Sequence, residues 1–334
     1  MVANGQVGFV DGKSIAYTGA RLARTGTDKI DAFAALPSNL AAVRSLAGFA
    51  EGRRRFVAIQ GASGWGKSHL LRAARDMTAA RFYASVHFDS AEHWLSSGSA
   101  VDRAKVRFLI LDDVGSALSR PRSRQLLQLE LERRIRTKKP TLCGLDMQRQ
   151  SLRSLPLSSL WHSAAIAPPT PSERRAIVQQ MCKNERLPLS DPLQQLVANL
   201  VKGDGHSLLG ALLRIKAVVP EWQDFDSVRP LRVAGILQPY LADSTHFDLR
   251  EMVVDSVTQT AGKDAARLIA VSVYVLSEWA DLCEESIATY FGMKPGDVYR
   301  LRREVSARLA GEDSALHAHL ARSLRDITCC LNRV

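Results

Sequence analysis

The eight residues from Gly61 to Ser68 constrain the fold of this chain more than any other stretch. They read GASGWGKS, follow the apolar run Phe56–Ile59 and precede Leu70–Ala74, which is predicted to be helical. A strand, a glycine-rich loop ending in Lys-Ser and a helix, in this order, predict a phosphate-binding loop. Its glycines let consecutive backbone N–H groups turn towards phosphate oxygens, and the helix N-terminus adds positive potential. The sequence therefore predicts a nucleoside triphosphate site.

Two side chains of this loop are expected to carry its chemistry. Lys67 is expected to reach the β- and γ-phosphates, and the Ser68 hydroxyl is expected to bind Mg²⁺. His69 comes next, and packing on the loop helix is its main expected role. The residues predicted to contact ATP or ADP in this stretch are Gly61, Ser63, Gly64, Gly66, Lys67, Ser68 and His69.

A second predicted strand ends in two adjacent carboxylates. The apolar run Val106–Leu111 leads into Asp112 and Asp113, about 45 residues after the phosphate loop. Asp112 is expected beside the Mg²⁺ held by Ser68, and Asp113 is expected to orient or deprotonate an attacking water as a catalytic residue together with the loop lysine. Asp146 follows the next strand and is a candidate γ-phosphate sensor, the alternative being a loop carboxylate without a role.

The distribution of charge favours a polyanionic partner. The chain has 334 residues and a formal net charge of +11. Residues 101–187 contain 17 Lys and Arg against 8 Asp and Glu, whereas residues 245–334 contain 11 against 13. The basic excess therefore lies on the nucleotide-binding part, where it either binds single-stranded DNA or forms a solvated face.

Composition also limits the compartment. No apolar run approaches the ~20 residues of a membrane span, and the first residues do not have the pattern of a signal peptide. The five cysteines show no CxxC spacing, which favours reduced thiols. We expect a cytoplasmic, nucleoid-associated protein without a membrane span.

Strands and helices are predicted to alternate as far as residue 170. Strands are expected at 56–59, 82–86, 106–111 and 141–144, which with the helices between them predict a mostly parallel α/β sheet. From residue 172 the pattern is helical. The predicted division is an N-terminal segment of unknown role at 1–28, an α/β nucleotide-binding core at 29–170, a helical lid at 171–220, a linker at 221–250 and an all-α domain at 251–334.

Residues 285–300 have the pattern of a helix-turn-helix. Ala288, Gly292 and Val298 have the spacing of a small residue at the helix crossing, a glycine in the turn and an anchor on the second helix, which Pro295 would start. The alternative is an ordinary helical hairpin with a charged face. The side chains expected to contact the bases or phosphates of duplex DNA are Lys294, Tyr299, Arg300, Arg302 and Arg303.

From about residue 30 onwards, these motifs and their order resemble the family of the bacterial replication initiator DnaA. The similar stretches are Ile30–Phe33 with Pro37–Asn39, Gly61–Leu71, Leu109–Val114, Gly210–Ile215 and the layout of residues 264–331. The resemblance implies an AAA+ ATPase module with a helical lid, followed by a helical DNA-binding domain with a helix-turn-helix. It also implies that Pro37, Asn39 and His206 lie at the nucleotide.

The chain departs from the family pattern in several places. His206 stands where the family has a nucleotide-contacting arginine. Residues 155–166, where the family carries an arginine that reaches the neighbouring subunit's ATP, contain none. The loop Met293–Asp297 is one residue shorter than the family's recognition loop. These departures imply a divergent member that lacks the helicase-recruiting N-terminal domain, hydrolyses ATP slowly or not at all, and does not read the family's usual DNA box.

Three functional hypotheses follow. The first is an ATP-modulated DNA-binding protein that initiates or regulates replication or recombination, alone or through self-association. The second is a sequence-specific transcription regulator in which the nucleotide is structural. The third is an adaptor that binds another AAA+ protein.

Overall fold

The computed structural model describes residues 33–83, 85–97, 102–146, 152–219, 229–241, 248–261, 265–311 and 313–333. The N-terminal segment predicted at 1–28 lies outside these residues, as do positions 221–228 and 242–247 of the predicted linker. The chain divides into two compact units, Met1–Gln180 and Met181–Val334. No helix in the described ranges is long and apolar enough to cross a membrane.

The first unit is built around a five-stranded parallel sheet. Its strands are β1 (Phe56–Gly61), β2 (Val86–Ser90), β3 (Phe108–Asp112), β4 (Thr141–Asp146) and β5 (His162–Ile166). They lie in the order β2-β3-β4-β1-β5, and every neighbouring pair is parallel. The central strands are apolar and buried because helices cover both faces of the sheet. This architecture confirms the predicted α/β phosphate-loop fold.

In the described residues, five helices connect or cover these strands, and a sixth follows the last strand. They are α1 (Leu40–Ala50), α2 (Lys67–Phe82), α3 (Ala91–Ser96), α4 (Val114–Ser119), α5 (Pro121–Arg136) and α6 (Pro171–Asn184). One core cluster joins α1 and α2 to the sheet through residues such as Phe49, Ile59 and Leu71. A second cluster joins α3 to α5 through residues such as Trp94 and Leu127.

The predicted strand at residues 82–86 is wrong in its bounds. Phe82 is the last residue of α2, and β2 begins only at Val86. The Phe82 ring stacks on Phe108 of β3 at a centroid distance of 5.0 Å. An aromatic residue that ends a helix against a sheet gives the same local apolar pattern as the start of a strand, so sequence reasoning placed the boundary too early.

The buried Arg134 of α5 hydrogen-bonds to the residues at the beginning of two strands. Arg134 is only 1% exposed and donates hydrogen bonds to the Thr141 hydroxyl (2.8 Å) and to the carbonyl oxygens of Val106 (3.3 Å), Arg107 (3.0 Å) and Pro140 (3.0 Å). Burial lowers the pKa of Arg134 to about 10, so the guanidinium stays charged at neutral pH. The four acceptors belong to the chain that leads into β3 and β4, so Arg134 aligns the beginnings of both strands.

In its described residues, the second unit consists of helices and the loops that join them. Its further helices are α7 (Asp191–Leu200), α8 (Gly205–Val218), α9 (Pro230–Ile236), α10 (Gln238–Leu241), α11 (Leu249–Ala261), α12 (Ala265–Glu278), α13 (Glu284–Phe291), α14 (Pro295–Ala310) and α15 (Ser314–Arg333). Gly235 of α9 lies so close to Ala280 that an added Cβ would fall 1.7 Å from the Ala280 carbonyl oxygen. The predicted all-α region after the sheet is confirmed.

Candidate nucleotide-binding and DNA-binding sites

Parallel strands bring the predicted nucleotide residues to one edge of the sheet. Gly61 ends β1, Asp112 ends β3 and Asp146 ends β4. Gly61 is in register with Asp146, and β4 lies between β1 and β3. Ligands of open α/β sheets bind at the carboxyl ends of the strands, which is the edge where these three residues meet.

The phosphate loop has the backbone conformation that its glycines allow. Gly64 and Gly66 have φ angles of +80° and +86°, in the left-handed region that side chains rarely adopt. A Cβ at Gly66 would also lie 2.6 Å from Cε2 of Phe33. Gly66 occupies the N-cap position of α2 and has no side chain to cap it. The first N–H groups of α2 therefore face a loop whose shape suits an anion.

Lys67 lies across this loop. Its Nζ donates hydrogen bonds to the carbonyl oxygens of Gly61 (2.6 Å) and Ala62 (2.8 Å). Burial lowers the pKa of the Lys67 ammonium, while the carboxylates of Asp146 and of the β3 terminus act in the opposite direction. The ammonium thus lies inside the loop, next to the carboxylates with which it would share a bound triphosphate and its metal.

Space for the Asp112 carboxylate depends on a glycine of the neighbouring strand. A Cβ at Gly144 would lie 3.2 Å from Asp112 Oδ1 and 2.9 Å from Cδ1 of Leu71. In the described part of the chain, no group of three or more His, Cys, Asp or Glu side chains could hold a metal ion by itself. Mg²⁺, however, typically takes one or two protein oxygens and completes its shell with phosphates and waters. Asp112 and the Ser68 hydroxyl fit that requirement.

Asp113 has a strained backbone at the sheet edge. Its φ and ψ angles are +46° and +45°, at the N-cap position of α4, and its N–H donates to Asp112 Oδ1 at 2.9 Å. This contact holds the Asp112 carboxylate by the backbone, and the Asp113 side chain remains exposed. Asp113 and Asp146 both line a polar cavity of about 460 Å³, together with Arg124 and Gln128. A carboxylate that lines a polar cavity is suitably placed to bind water.

The segment before α1 packs against the loop helix. The rings of Phe33 and His69 lie 5.6 Å apart, which agrees with a packing role for His69. Pro37 is exposed. Asn39 is buried, and its amide bonds within the segment: Oδ1 accepts from the Leu36 N–H (2.9 Å) and Nδ2 donates to the Ala34 carbonyl (2.9 Å). Asn39 therefore shapes the segment through its side chain, and its contact with nucleotide stays a prediction.

Glu173 is a site residue that sequence reasoning missed. One carboxylate oxygen accepts from the N–H (2.7 Å) and hydroxyl (3.0 Å) of Thr170, and the other accepts from the N–H of Ser38 at 2.8 Å. Burial by itself would raise the pKa of Glu173, but these hydrogen bonds lower it below its ordinary value. The Thr-x-x-Glu spacing is a capping-box signal that was available in the sequence. The bond to Ser38 was not, because 135 positions separate the two residues.

A second contact that was not predicted from the sequence involves the phosphate loop itself. The guanidinium carbon of Arg174, the residue after Glu173, lies 5.5 Å from the centre of the Trp65 indole ring. Trp65 stands between the two positive-φ glycines of the loop and packs against the core cluster of α1 and α2. The start of α6 is thus in contact with the loop through a cation–π pair.

His206, the predicted lid contact, lies in the second unit. It is the second residue of α8, whose N-cap Asp204 accepts a hydrogen bond from the Ser207 N–H at 3.0 Å. The imidazole Nδ1 lies 3.7 Å from Asp204 Oδ2, and the side chain is 81% exposed. An exposed histidine beside a carboxylate is available to a ligand, and its predicted role stays untested.

Helices α13 and α14 have the local structure expected of a helix-turn-helix. Gly292 ends α13 with a φ angle of +64°, and the Met293 N–H returns to the Ala288 carbonyl at 2.9 Å. Pro295 is the first residue of α14, after Lys294 at its N-cap. Ala288 and Val298 are buried, as a crossing residue and an anchor should be.

The candidate DNA-contacting side chains of α14 divide into two groups. Tyr299 is 45% exposed, and Arg300 and Arg303 are exposed beside it. Arg300 pairs within its own helix, 2.9 Å from a carboxylate oxygen of Asp297. Arg302 lies 3.3 Å from a carboxylate oxygen of Glu278 and 3.8 Å from one of Glu284, which belong to other helices. Arg302 therefore bridges the end of α12 and the start of α13, whereas the other side chains face solvent.

Comparison with known proteins identifies the fold. No protein-family model and no curated protein sequence matches the chain. Domain III of the replication initiation protein DnaA from Thermotoga maritima matches with a TM-score of 0.56 at 20% identity, over 66% of this chain and 99% of that one. AMPPCP-bound DnaA from Aquifex aeolicus gives a TM-score of 0.47 at 17% identity, over 91% and 95% of the two chains. The Thermotoga maritima RuvB Holliday junction branch migration motor gives 0.40 at 16% identity, over 77% and 80%. The match to domain III shows that 66% of this chain has the fold of that DnaA domain.

Proposed function

We propose that this chain is an ATP-modulated DNA-binding protein that acts in the initiation or regulation of DNA replication or recombination. The observation that carries the proposal is the meeting of an open phosphate loop, Lys67 and two carboxylate-bearing strand ends at one edge of a DnaA-like sheet. The nucleotide would be ATP or ADP with Mg²⁺.

Each residue at the edge of the sheet would have a separate role in binding nucleotide. The N–H groups of the loop and of the first turn of α2 would surround the phosphates. Lys67 would exchange its bonds to the Gly61 and Ala62 carbonyls for bonds to phosphate oxygens. Ser68 and Asp112 would hold Mg²⁺, which neutralises phosphate charge. Asp113 would orient a water from the polar cavity, so any hydrolysis depends on its carboxylate.

The exposed face of α14 would bind duplex DNA. Tyr299, Arg300 and Arg303 lie at helical spacing on its solvent side, near the N-terminal end that enters a groove in helix-turn-helix proteins. Arginines there can neutralise phosphates or pair with guanine edges. Arg302 would keep α12, α13 and α14 together through its two carboxylate contacts.

The proposal is tested by measuring binding of a fluorescent random-sequence duplex across a salt series, with ATP, with ADP and without nucleotide. Steep salt dependence with tighter binding in ATP is expected, because phosphate contacts release counterions and the nucleotide site is coupled to the DNA site. Tight DNA binding that is the same with and without nucleotide, and that Lys67→Ala leaves unchanged, would favour a transcription regulator. The absence of duplex binding in all three states would refute the proposal and favour an adaptor of another AAA+ protein.

A further inference from the structure

An arginine from the start of α6 lies beside the phosphate loop. The Arg174 guanidinium carbon is 5.5 Å from the centre of the Trp65 ring. The Trp65 backbone N–H belongs to the loop that would surround the phosphates, between Gly64 and Gly66. The Arg174 guanidinium is therefore a positive charge in contact with a residue of this loop.

The first turn of α6 and its contact with the segment before α1 fix the backbone of Arg174. The Arg174 N–H donates to the Thr170 carbonyl at 2.9 Å in the first turn of α6. Glu173 bonds this turn to the backbone of Ser38 at 2.8 Å. The Arg174 side chain itself is only partly buried. Anchoring at the backbone with a long, partly exposed stem lets the guanidinium change partners without moving the helix.

We propose that Arg174 is a phosphate-binding residue of the nucleotide site, held beside the loop by Trp65 until the nucleotide binds. The inference rests on the proposed function, because it requires a nucleotide in the loop. A hydrogen bond between a guanidinium and a phosphate is charge-assisted and stronger than a cation–π contact at a partly exposed ring. The guanidinium would therefore leave the indole for a phosphate oxygen, and the environment of Trp65 would change on binding.

The test uses the full chain and titrations with ATP and ADP that carry a fluorescent N-methylanthraniloyl group. Arg174→Ala is expected to weaken binding about 10- to 100-fold, the loss of a charged hydrogen bond. Arg174→Lys should recover part of the affinity, since an ammonium provides charge without the planar fork. The matched control is Arg175→Ala, which removes the exposed arginine next along α6 and should change affinity by less than about twofold.

A second readout is the tryptophan emission on addition of unlabelled ATP. The wild type should show a change that Trp65→Phe lacks, whereas Arg174→Ala should start from an emission already altered by loss of the cation. If Arg174→Ala does not fold by circular dichroism, Arg174→Gln, which keeps the stem and removes the charge, replaces it.

The possible failures are distinguishable. If the wild type binds nucleotide, Lys67→Ala abolishes binding, and Arg174→Ala binds like Arg175→Ala, then Arg174 does not contact phosphate and only this inference is overturned. If the wild type binds neither nucleotide, the proposed function is refuted and the inference falls with it.

Discussion

Replacing the buried Arg134 by methionine should destabilise the first unit measurably. Arg134→Met keeps an apolar stem and removes all four hydrogen-bond donations. Two of the acceptors keep other partners: the Pro140 carbonyl also accepts a β3 N–H at 3.1 Å, and the Thr141 hydroxyl also donates to a neighbouring carbonyl at 3.1 Å. The cost therefore falls mainly on the carbonyls of Val106 and Arg107.

The size of this effect follows from those two carbonyls. A buried polar group that loses its partner costs about 1–3 kcal/mol. The bond to the Val106 carbonyl is buried, whereas the bond to the Arg107 carbonyl is only part-buried and costs less to lose. Together they cost about 1–4 kcal/mol, and relief from burying the charge offsets part of this, so we expect a net loss of about 2 kcal/mol. For a unit of this size, about 2 kcal/mol corresponds to a fall in Tm of about 4–8 °C.

Thermal unfolding of the full chain, followed by circular dichroism, measures this fall. The matched control is Arg136→Met on the same helix, because Arg136 is 78% exposed and forms an ion pair with Glu132 at 3.7 Å. Its removal should change the free energy of unfolding by less than about 1 kcal/mol. Arg134→Lys should fall between the two, since it keeps the charge but cannot reach four acceptors. Equal Tm values for Arg134→Met and Arg136→Met would refute the argument.

Three further predictions concern the two candidate sites. Glu173→Gln should destabilise the chain by about 1–2 kcal/mol at pH 7. Because the pKa of Glu173 in the folded chain lies below the ordinary value of 4.5, the difference in stability from wild type should shrink as the pH falls below 4.5. A difference that does not depend on pH would contradict the assignment. Gly66→Ala should abolish nucleotide binding, measured by fluorescence titration, since its φ of +86° and the nearby Phe33 ring exclude a Cβ; unchanged affinity would show that the loop is not the site. Arg300→Ala should weaken duplex binding and leave Tm unchanged, whereas Arg302→Ala should lower Tm because two ion pairs are lost. The opposite result would show that Arg302 binds DNA and that Arg300 stabilises the helices.

Short-range signals predicted the local structure at the centre of the candidate nucleotide site. The phosphate loop is specified within eight residues, because glycines at the positive-φ positions and a helix directly after them leave few other conformations. The position of Asp112 was predicted from the apolar run before it, because a carboxylate that follows such a strand lies at the edge of the sheet. The same holds for the turn at Gly292, where a glycine and a following proline mark the end of one helix and the start of the next.

Long-range packing decided what the sequence left open. The strand β5 was not predicted, because residues 162–166 are mostly small or polar and are recognisable as a strand only beside β1. Phe82 ends α2 with its ring stacked on Phe108 of β3, a contact between residues that are distant in sequence.

By itself, then, the sequence determined the phosphate loop, the carboxylate-ended strand and the helical second half, because each is a pattern of neighbouring residues. Only the tertiary structure decided the strand order, the bond from Glu173 to Ser38, the contact of Arg174 with Trp65 and the inward direction of Arg302. The physical reason is that a contact between distant residues depends on how whole elements pack, and no local pattern encodes it.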